Sequence, residues 1–96
     1  MLHTVIQVKP TNDFKVYVYF SDWKIKLFDM NPMLRKGVFK QISDLDIFVE
    51  KCTVINQTLA WDIGGNFDEH RCLDIDPETI YTEGIDVADP LSEEAA

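Results

Sequence analysis

The sequence has few cysteines and no long hydrophobic run. Its two cysteines, Cys52 and Cys72, do not form a CxxC pair, which argues against a disulfide scaffold or a redox pair and predicts reduced thiols. No apolar run approaches the roughly 20 residues that span a bilayer, and the N-terminus lacks the features of a signal peptide. We therefore expect a soluble, cytoplasmic protein without a membrane partner.

The chain has 96 residues, which is too short to bury two separate cores. Hydrophobic residues make up 46% of it, a share typical of globular domains. We expect a single domain over residues 1–85. The stretch DVADPLSEEAA, residues 86–96, carries four acidic side chains and neither a basic nor an aromatic one, and this composition predicts an acidic flexible tail.

Basic residues are nearly absent from the second half of the chain. Residues 1–51 contain eight Lys and Arg against six Asp and Glu, whereas residues 52–96 contain only Arg71 against eleven acidic residues. Nucleic-acid binding draws much of its affinity from Lys and Arg that displace counterions from phosphates. The net charge of -8 therefore predicts no nucleic-acid partner, and the acidic half is suited to a basic protein.

Three strands are predicted in the first third of the chain. Apolar and polar residues alternate over Leu2–Val8, over FKVYVYF from residue 14 and over KIKLF from residue 24, as in half-buried strands. The last two form a hairpin with a two-residue turn at Ser21-Asp22, and a loop longer by two residues would keep the same faces. The residues that face the core in this register are Val16, Val18, Phe20, Trp23, Ile25 and Leu27.

The opposite face of this hairpin is basic and rich in tyrosine. Such a face suits an acidic protein surface or single-stranded nucleic acid, although polar residues are also the default on the solvent side of a sheet. Gln7 and Lys9 extend it if the first strand pairs alongside with Ile6 and Val8 inward. The absence of arginine on it favours a protein partner. The candidate interaction face consists of Lys15, Tyr17, Tyr19, Lys24 and Lys26.

Capping signals place two helical segments after the first hairpin. Asn31 before Pro32 is an N-cap followed by proline at the first helical position, and it predicts a single turn that ends at Gly37. Ser43 predicts the N-cap of the main helix over DLDIFVEK.

A second hairpin follows the main helix. Cys52–Ile55 and Thr58–Ile63 are short β-prone runs joined at Asn56-Gln57, and Trp61 is predicted to face the core. The predicted fold class is therefore α+β, with small antiparallel sheets made of a strand plus a β-hairpin and then a second hairpin, one main helix and short helical turns.

The segment LDIDPETIY carries the signals of a further helical turn. Asp76 before Pro77 is an N-cap with proline at the first helical position, and Glu78 places negative charge at the positive end of the helix. Asp74 and Asp76 flank Ile75, as solvent-facing positions flank a buried one in an extended segment. We expect structural roles for these acidic residues.

Three separated pieces of the chain resemble a known family. The pieces are FxVYVYFSDWKIKLFDMNPML, GVFKQISDLDIF, and LAWDIGGN followed by LDIDPETIY. Together they resemble the small bacterial family catalogued as domain of unknown function 2442. Hairpins of that family often turn on Asp-Gly, whereas this chain has Ser21-Asp22-Trp23. The most specific part of the resemblance is a structural motif made of Trp61, Asp74, Asp76, Pro77 and Tyr81.

The resemblance implies a small α+β domain without an established activity. It further implies that such domains are sometimes encoded beside a small toxin-like partner. It supplies no catalytic residues that could be assigned to positions of this sequence.

An acidic cluster with one histidine and one cysteine precedes the last helical turn. His70 and Cys72 have neither Cys-x2-Cys nor His-x3-His spacing, and further ligands for a zinc site are missing. Residues 62–68 do not fit a calcium loop, and residues two apart make a poor nucleophile and base pair. We expect no metal and no cofactor. The members of the cluster are Asp62, Asp68, Glu69, His70, Cys72, Asp74 and Asp76.

The sequence thus predicts a non-enzymatic protein-interaction module with a basic partner, and the resemblance implies that it is the neutralising, antitoxin-like partner of a toxin-like protein. The alternative is a hydrolase or metal-binding subunit that uses the cluster from Asp68 to Asp76. The sequence leaves open whether the protein forms homo-oligomers.

Overall fold

The structure, a computed structural model, describes residues 3–90 and confirms the α+β fold class. The strands are β1 (Val5–Pro10), β2 (Lys15–Phe20), β3 (Ile25–Asp29), β4 (Cys52–Ile55), β5 (Thr58–Trp61), β6 (Leu73–Asp74) and β7 (Ile85–Asp86). The helices are a 3₁₀ helix (Gly37–Ile42), α1 (Leu45–Lys51) and α2 (Pro77–Glu83). No helix of the described range is both long and apolar enough to cross a membrane.

Two antiparallel sheets share one hydrophobic core. One sheet has the strand order β1-β2-β3-β7 and the other has the order β4-β5-β6. Trp61 is fully buried, and its indole Nε1 donates a hydrogen bond to the backbone oxygen of Phe48 at 3.0 Å. This side chain therefore packs in the core and connects α1 to β5, and the hydrogen bond satisfies its buried N–H group. The core consists of Val5, Val16, Val18, Phe20, Phe28, Met30, Leu34, Ile42, Phe48, Leu59, Trp61, Ile75 and Ile80.

The register of the first hairpin differs by one residue from the sequence prediction. Val18 pairs with Lys26, and the loop contains the three residues Ser21–Trp23. The backbone N of Trp23 donates to the oxygen of Phe20 at 3.1 Å, and Trp23 has a left-handed φ of 74°. Three-residue loops of this kind usually carry glycine at the left-handed position. The predicted two-residue turn was wrong because tryptophan stands where the glycine would have identified the loop.

The shift turns every side chain of β3 to the opposite face, because side chains alternate along a strand. Lys26 and Phe28 face the core side of the sheet, whereas Ile25 and Leu27 lie on its outer face. Trp23, which the sequence placed in the core, is 90% exposed.

The first strand also differs from the prediction. The expected strand was Leu2–Val8 with Ile6 pointing inward, but β1 begins at Val5 and has an irregular register between Val5 and Gln7. Such a bulge adds one residue to a strand and locally changes the face of the sheet on which the side chains lie. Ile6 is consequently outside the core and 59% exposed, whereas Val8 packs against the core as expected.

The main helix begins one residue later than the sequence predicts. Asp44 is its N-cap, and its Oδ1 accepts a hydrogen bond from the backbone N of Asp46 at 2.9 Å. Ser43, the predicted cap, instead donates from Oγ to the backbone oxygen of Lys40 at 2.7 Å and closes the preceding 3₁₀ helix. That 3₁₀ helix starts at Gly37, where the sequence predicted the end of a turn.

The second hairpin is confirmed. Asn56 and Gln57 join β4 to β5 with φ angles of 53° and 65°, as in the turn type that fits the twist of two-residue hairpins. β5 ends at Trp61 and not at Ile63, which lies at the surface.

The last strand brings the start of the predicted tail into the sheet. Asp86 lies in β7 opposite Lys26, and its Oδ1 is 2.7 Å from Lys26 Nζ. Beyond the strand, Asp89 Oδ1 accepts a hydrogen bond from the hydroxyl of Tyr19 at 2.9 Å. The chain therefore contacts the domain as far as residue 89. The rest of the predicted tail, residues 91–96, lies outside the described residues.

Replacing Asp76 with alanine should lower the free energy of unfolding by about 1 kcal/mol, because α2 would lose its N-cap. Asp76 Oδ1 accepts a hydrogen bond from the backbone N of Glu78 at 2.9 Å. Asp76→Asn keeps a capping oxygen and should retain most of the stability. Urea unfolding of the three proteins makes the comparison. Equal stability of the alanine and asparagine variants would show that the cap does not hold the first turn.

Candidate interaction site

The predicted basic face is divided between the two sides of the four-stranded sheet. Lys15, Tyr17 and Tyr19 lie on the outer face, away from the core. Lys24 and Lys26 lie on the other side, because the register shift reverses β3. Only 8% of Lys26 is exposed. The five residues therefore do not form one surface, and a binding role for the outer three stays a prediction.

The structural motif of the resemblance is spread over β5, β6 and α2. Trp61 is buried in the core, and Asp74 ends β6 at the surface. Asp76 and Pro77 begin α2. Tyr81 lies further along α2, and it alone of the five takes part in a network of side chains with charged groups from other elements.

Aromatic and charged side chains surround Tyr81 in the described structure. Its ring stacks on the imidazole of His3 with a centroid distance of 3.6 Å, and the ring of Phe20 meets it edge-on at 5.0 Å. Lys26 Nζ lies 4.9 Å from the ring centroid, within range of a cation–π interaction. The hydroxyl of Tyr81 donates a hydrogen bond to Asp22 Oδ2 at 2.5 Å. Tyr81 thus connects α2 to the loop that carries Trp23.

Hydrogen bonds shift the pKa values of this network. The hydroxyl of Tyr81 holds the pKa of Asp22 below its usual range, and the same bond raises the pKa of Tyr81. The carboxylate of Glu78 accepts a hydrogen bond from the backbone N of His3 at 2.6 Å and lies 2.8 Å from His3 Nδ1. These contacts lower the pKa of Glu78. Both carboxylates are therefore charged at neutral pH.

The acidic cluster of the sequence does not converge on one point. The side chain of His70 is 86% exposed and approaches Glu69 only to 3.8 Å. Asp68 Oδ1 accepts a hydrogen bond from the backbone N of His70, as in a surface turn. Asp62 Oδ1 is buried and has no hydrogen-bond partner among the described residues. Within residues 3–90 no group of three or more His, Cys, Asp or Glu side chains is placed to hold a metal ion.

Neither cysteine is prepared to act as a nucleophile. Burial raises the pKa of Cys52 to about 12. Burial, followed by the charges of Asp74 and Asp62, also raises the pKa of Cys72. Because the thiolate is the nucleophilic form of cysteine, both side chains carry less of that form at neutral pH than an ordinary cysteine does.

A groove opens beside Trp23 at the end of the first hairpin. It has a volume of about 240 Å³. Sequence reasoning missed it by assigning Trp23 to the core. No signal in the sequence marks it, because Trp23 replaces the glycine that would have identified the three-residue loop. This Trp23 groove is lined by Ile6, Gln7, Tyr19, Phe20, Trp23, Lys24, Ile25 and Asp89.

The fold and its surface can be compared with known proteins. A family model described as protein of unknown function (DUF2442) matches residues 5–86. The chain belongs to this family. The matched range runs from the first residue of β1 to the last residue of β7, so the family's domain includes both sheets and both α-helices. No curated protein and no solved structure was found to match the chain.

Tyr81→Phe should raise the pKa of Asp22 toward its ordinary value, because the variant lacks the hydroxyl that donates to the carboxylate. The lowered pKa of Asp22 stabilises the fold at neutral pH, and this contribution is lost as the pH falls below about 4. The variant should therefore lose less stability on acidification than the original protein. NMR titration of the carboxyl carbon gives the pKa. Tyr17→Phe is the control, and an unchanged Asp22 pKa in Tyr81→Phe would contradict the assignment.

We expect no stoichiometric binding of zinc or calcium, because the described side chains do not bring together a ligand set. Isothermal titration calorimetry with each metal tests this. A one-to-one isotherm at micromolar affinity that disappears in both His70→Ala and Asp74→Ala would contradict the prediction and support the metal-binding alternative.

Proposed function

We propose that the domain is a non-enzymatic protein-interaction module that binds and neutralises a basic, toxin-like partner protein. The observation that supports this most directly is a set of carboxylates without compensating charges on β6 and α2. Asp74, Asp76 and Glu83 are exposed, and none of them forms an ion pair with another described residue. These three residues are called the acidic surface below.

The acidic surface has a geometry that suits a single partner. Asp76 and Glu83 are seven residues apart, which is about two helical turns, so they lie on the same side of α2. Asp74, at the end of β6, precedes Asp76 by two residues. Arg71 is the one basic residue of the second half of the sequence. An exposed region of one charge sign attracts an oppositely charged protein and accelerates its association.

The hydrolase or metal-binding alternative gains no comparable support. It requires the residues between Asp68 and Asp76 to meet in one site, whereas His70 projects into solvent. The raised pKa of Cys72 also argues against a thiol nucleophile there.

The variant that combines Asp74→Asn, Asp76→Asn and Glu83→Gln should capture the partner from an extract of the native host about tenfold less efficiently than the original protein. Asparagine keeps the cap of α2, so the fold should be retained. The loss should shrink as added salt screens the charges. Quantitative mass spectrometry of the captured proteins measures the effect, and co-expression with the captured protein then tests for relief of growth inhibition.

The matched control carries Asp44→Asn, Asp46→Asn and Glu50→Gln on α1. It changes the net charge by the same amount and also replaces a capping aspartate with asparagine. We expect it to capture the partner as the original protein does. Equal loss of capture in both triple variants would show that capture depends on net charge and not on the acidic surface. An acidic captured protein would contradict the proposal.

A further inference from the structure

Trp23 occupies a position that the fold alone does not explain. Its φ of 74° lies in the left-handed region, which is unfavourable for bulky L-residues and is a genuine outlier for them. The side chain is 90% exposed, so burial within the domain does not offset this unfavourable backbone. Strained residues concentrate where a protein binds or reacts. An interaction outside the domain would explain why a large aromatic side chain is present here.

Two apolar side chains lie beside Trp23 in the groove. Ile6 is turned out of the core by the bulge in β1 and also lines the Trp23 groove. Ile25 reaches the same groove because the register shift places it on the outer face. Adjacent exposed apolar side chains mark interaction sites, and tryptophan is among the residues that contribute most to binding energy in protein interfaces.

The size of the groove indicates the kind of ligand it takes. Pockets for drug-sized molecules usually have volumes of roughly 300 to 1,000 Å³. The Trp23 groove has about 240 Å³ and is open to solvent beside the exposed indole. It therefore fits a large side chain presented by a protein better than a separate small molecule.

The loop that carries Trp23 is held before any ligand binds. Asp22 Oδ2 accepts the hydrogen bond from Tyr81, and Asp22 Oδ1 accepts one from the backbone N of Lys24 at 3.0 Å. Both neighbours of Trp23 in the sequence are thus fixed by hydrogen bonds. A preorganised loop loses less conformational entropy on binding than a mobile one does.

Charge decides between two occupants of the groove. A second copy of the chain would bring together two molecules that each carry a net charge of -8, which disfavours association. The same net charge favours a basic protein, and the carboxylate of Asp22 lies in the loop beside the indole. Building on the proposed function, we propose that the Trp23 groove binds a large apolar side chain flanked by basic residues on the partner protein.

The test is a selection of random peptides displayed on phage, with the full-length protein and its Trp23→Gly variant as baits. Glycine tolerates the left-handed backbone, so this variant should melt at the same temperature or higher. We expect the peptides enriched on the original protein to share an aliphatic or aromatic residue next to Lys or Arg. Their affinity should fall at least about tenfold for Trp23→Gly and for Ile6→Ser. Val38→Ala, which trims another exposed apolar side chain, should leave it unchanged.

Several results would overturn the inference. Acidic enriched peptides would contradict the preference of the groove for basic ligands. Enriched peptides that bind Trp23→Gly equally well would contradict binding at the groove. A selection without Trp23-dependent sequences would do the same, as would dimerisation in sedimentation that requires Trp23. Host-partner capture that is lost in the acidic-surface variant but retained in Trp23→Gly would refute the groove and leave the proposed function standing. Capture that requires Trp23 but not the acidic surface would instead refute the acidic surface as the partner's docking site.

Discussion

The register of the β2–β3 hairpin determines much of the remaining structure. Its loop of three residues shifts β3 by one position relative to a two-residue turn, and this turns Lys26 toward the core side of the sheet. A charged group with so little exposure is costly unless it is paired. Asp86 in β7 supplies the counter-charge at 2.7 Å, and Tyr81 in α2 supplies the face of its ring. The positions of β7 and α2 against β3 therefore depend on where the hairpin places Lys26.

The link between α2 and β7 shows the same dependence. Gly84 lies between the two elements, and a Cβ at this position would be 2.8 Å from Lys26 Cβ and 2.7 Å from the backbone oxygen of Ile80. Only glycine lets the chain pass this close to Lys26 and turn into the sheet. The residues after the helix are therefore part of the domain, and they continue the sheet at its β3 edge.

The parts of the fold that the sequence predicts are those with local signals. Asn56 and Gln57 form a tight turn between two β-prone runs, and Asp76 before Pro77 begins a helix. Both features can be predicted because each depends only on neighbouring residues in the sequence. The hairpin register depends on one loop residue. Alternation with a period of two cannot distinguish the two registers, and the glycine that would have identified the longer loop is replaced by Trp23.

The candidate site could be predicted only in its electrostatic part. An acidic surface can be predicted because residues 52–96 contain a single Lys or Arg, and the net charge of a segment follows from its composition without knowledge of the fold. The Tyr81 network could not be predicted in this way, because His3 and Glu78 are 75 positions apart and meet only in the folded chain. The exposure of Trp23 and Ile6 could not be predicted from the sequence either, because each depends on a backbone irregularity that shifts a strand by one residue.

The acidic surface and the Trp23 groove differ in the step of binding that they can control. Exposed charges act over about 8 to 10 Å at ordinary ionic strength and chiefly set the rate at which a partner arrives. An apolar groove acts only in contact and chiefly sets how slowly the partner leaves. The hydroxyl of Tyr81 joins the two regions, since α2 carries both this residue and Glu83, and the hydrogen bond to Asp22 fixes the loop of Trp23. Tyr81 and Glu83 are two residues apart and therefore lie on nearly opposite sides of α2, so a partner that used both the acidic surface and the groove would contact both sides of this helix.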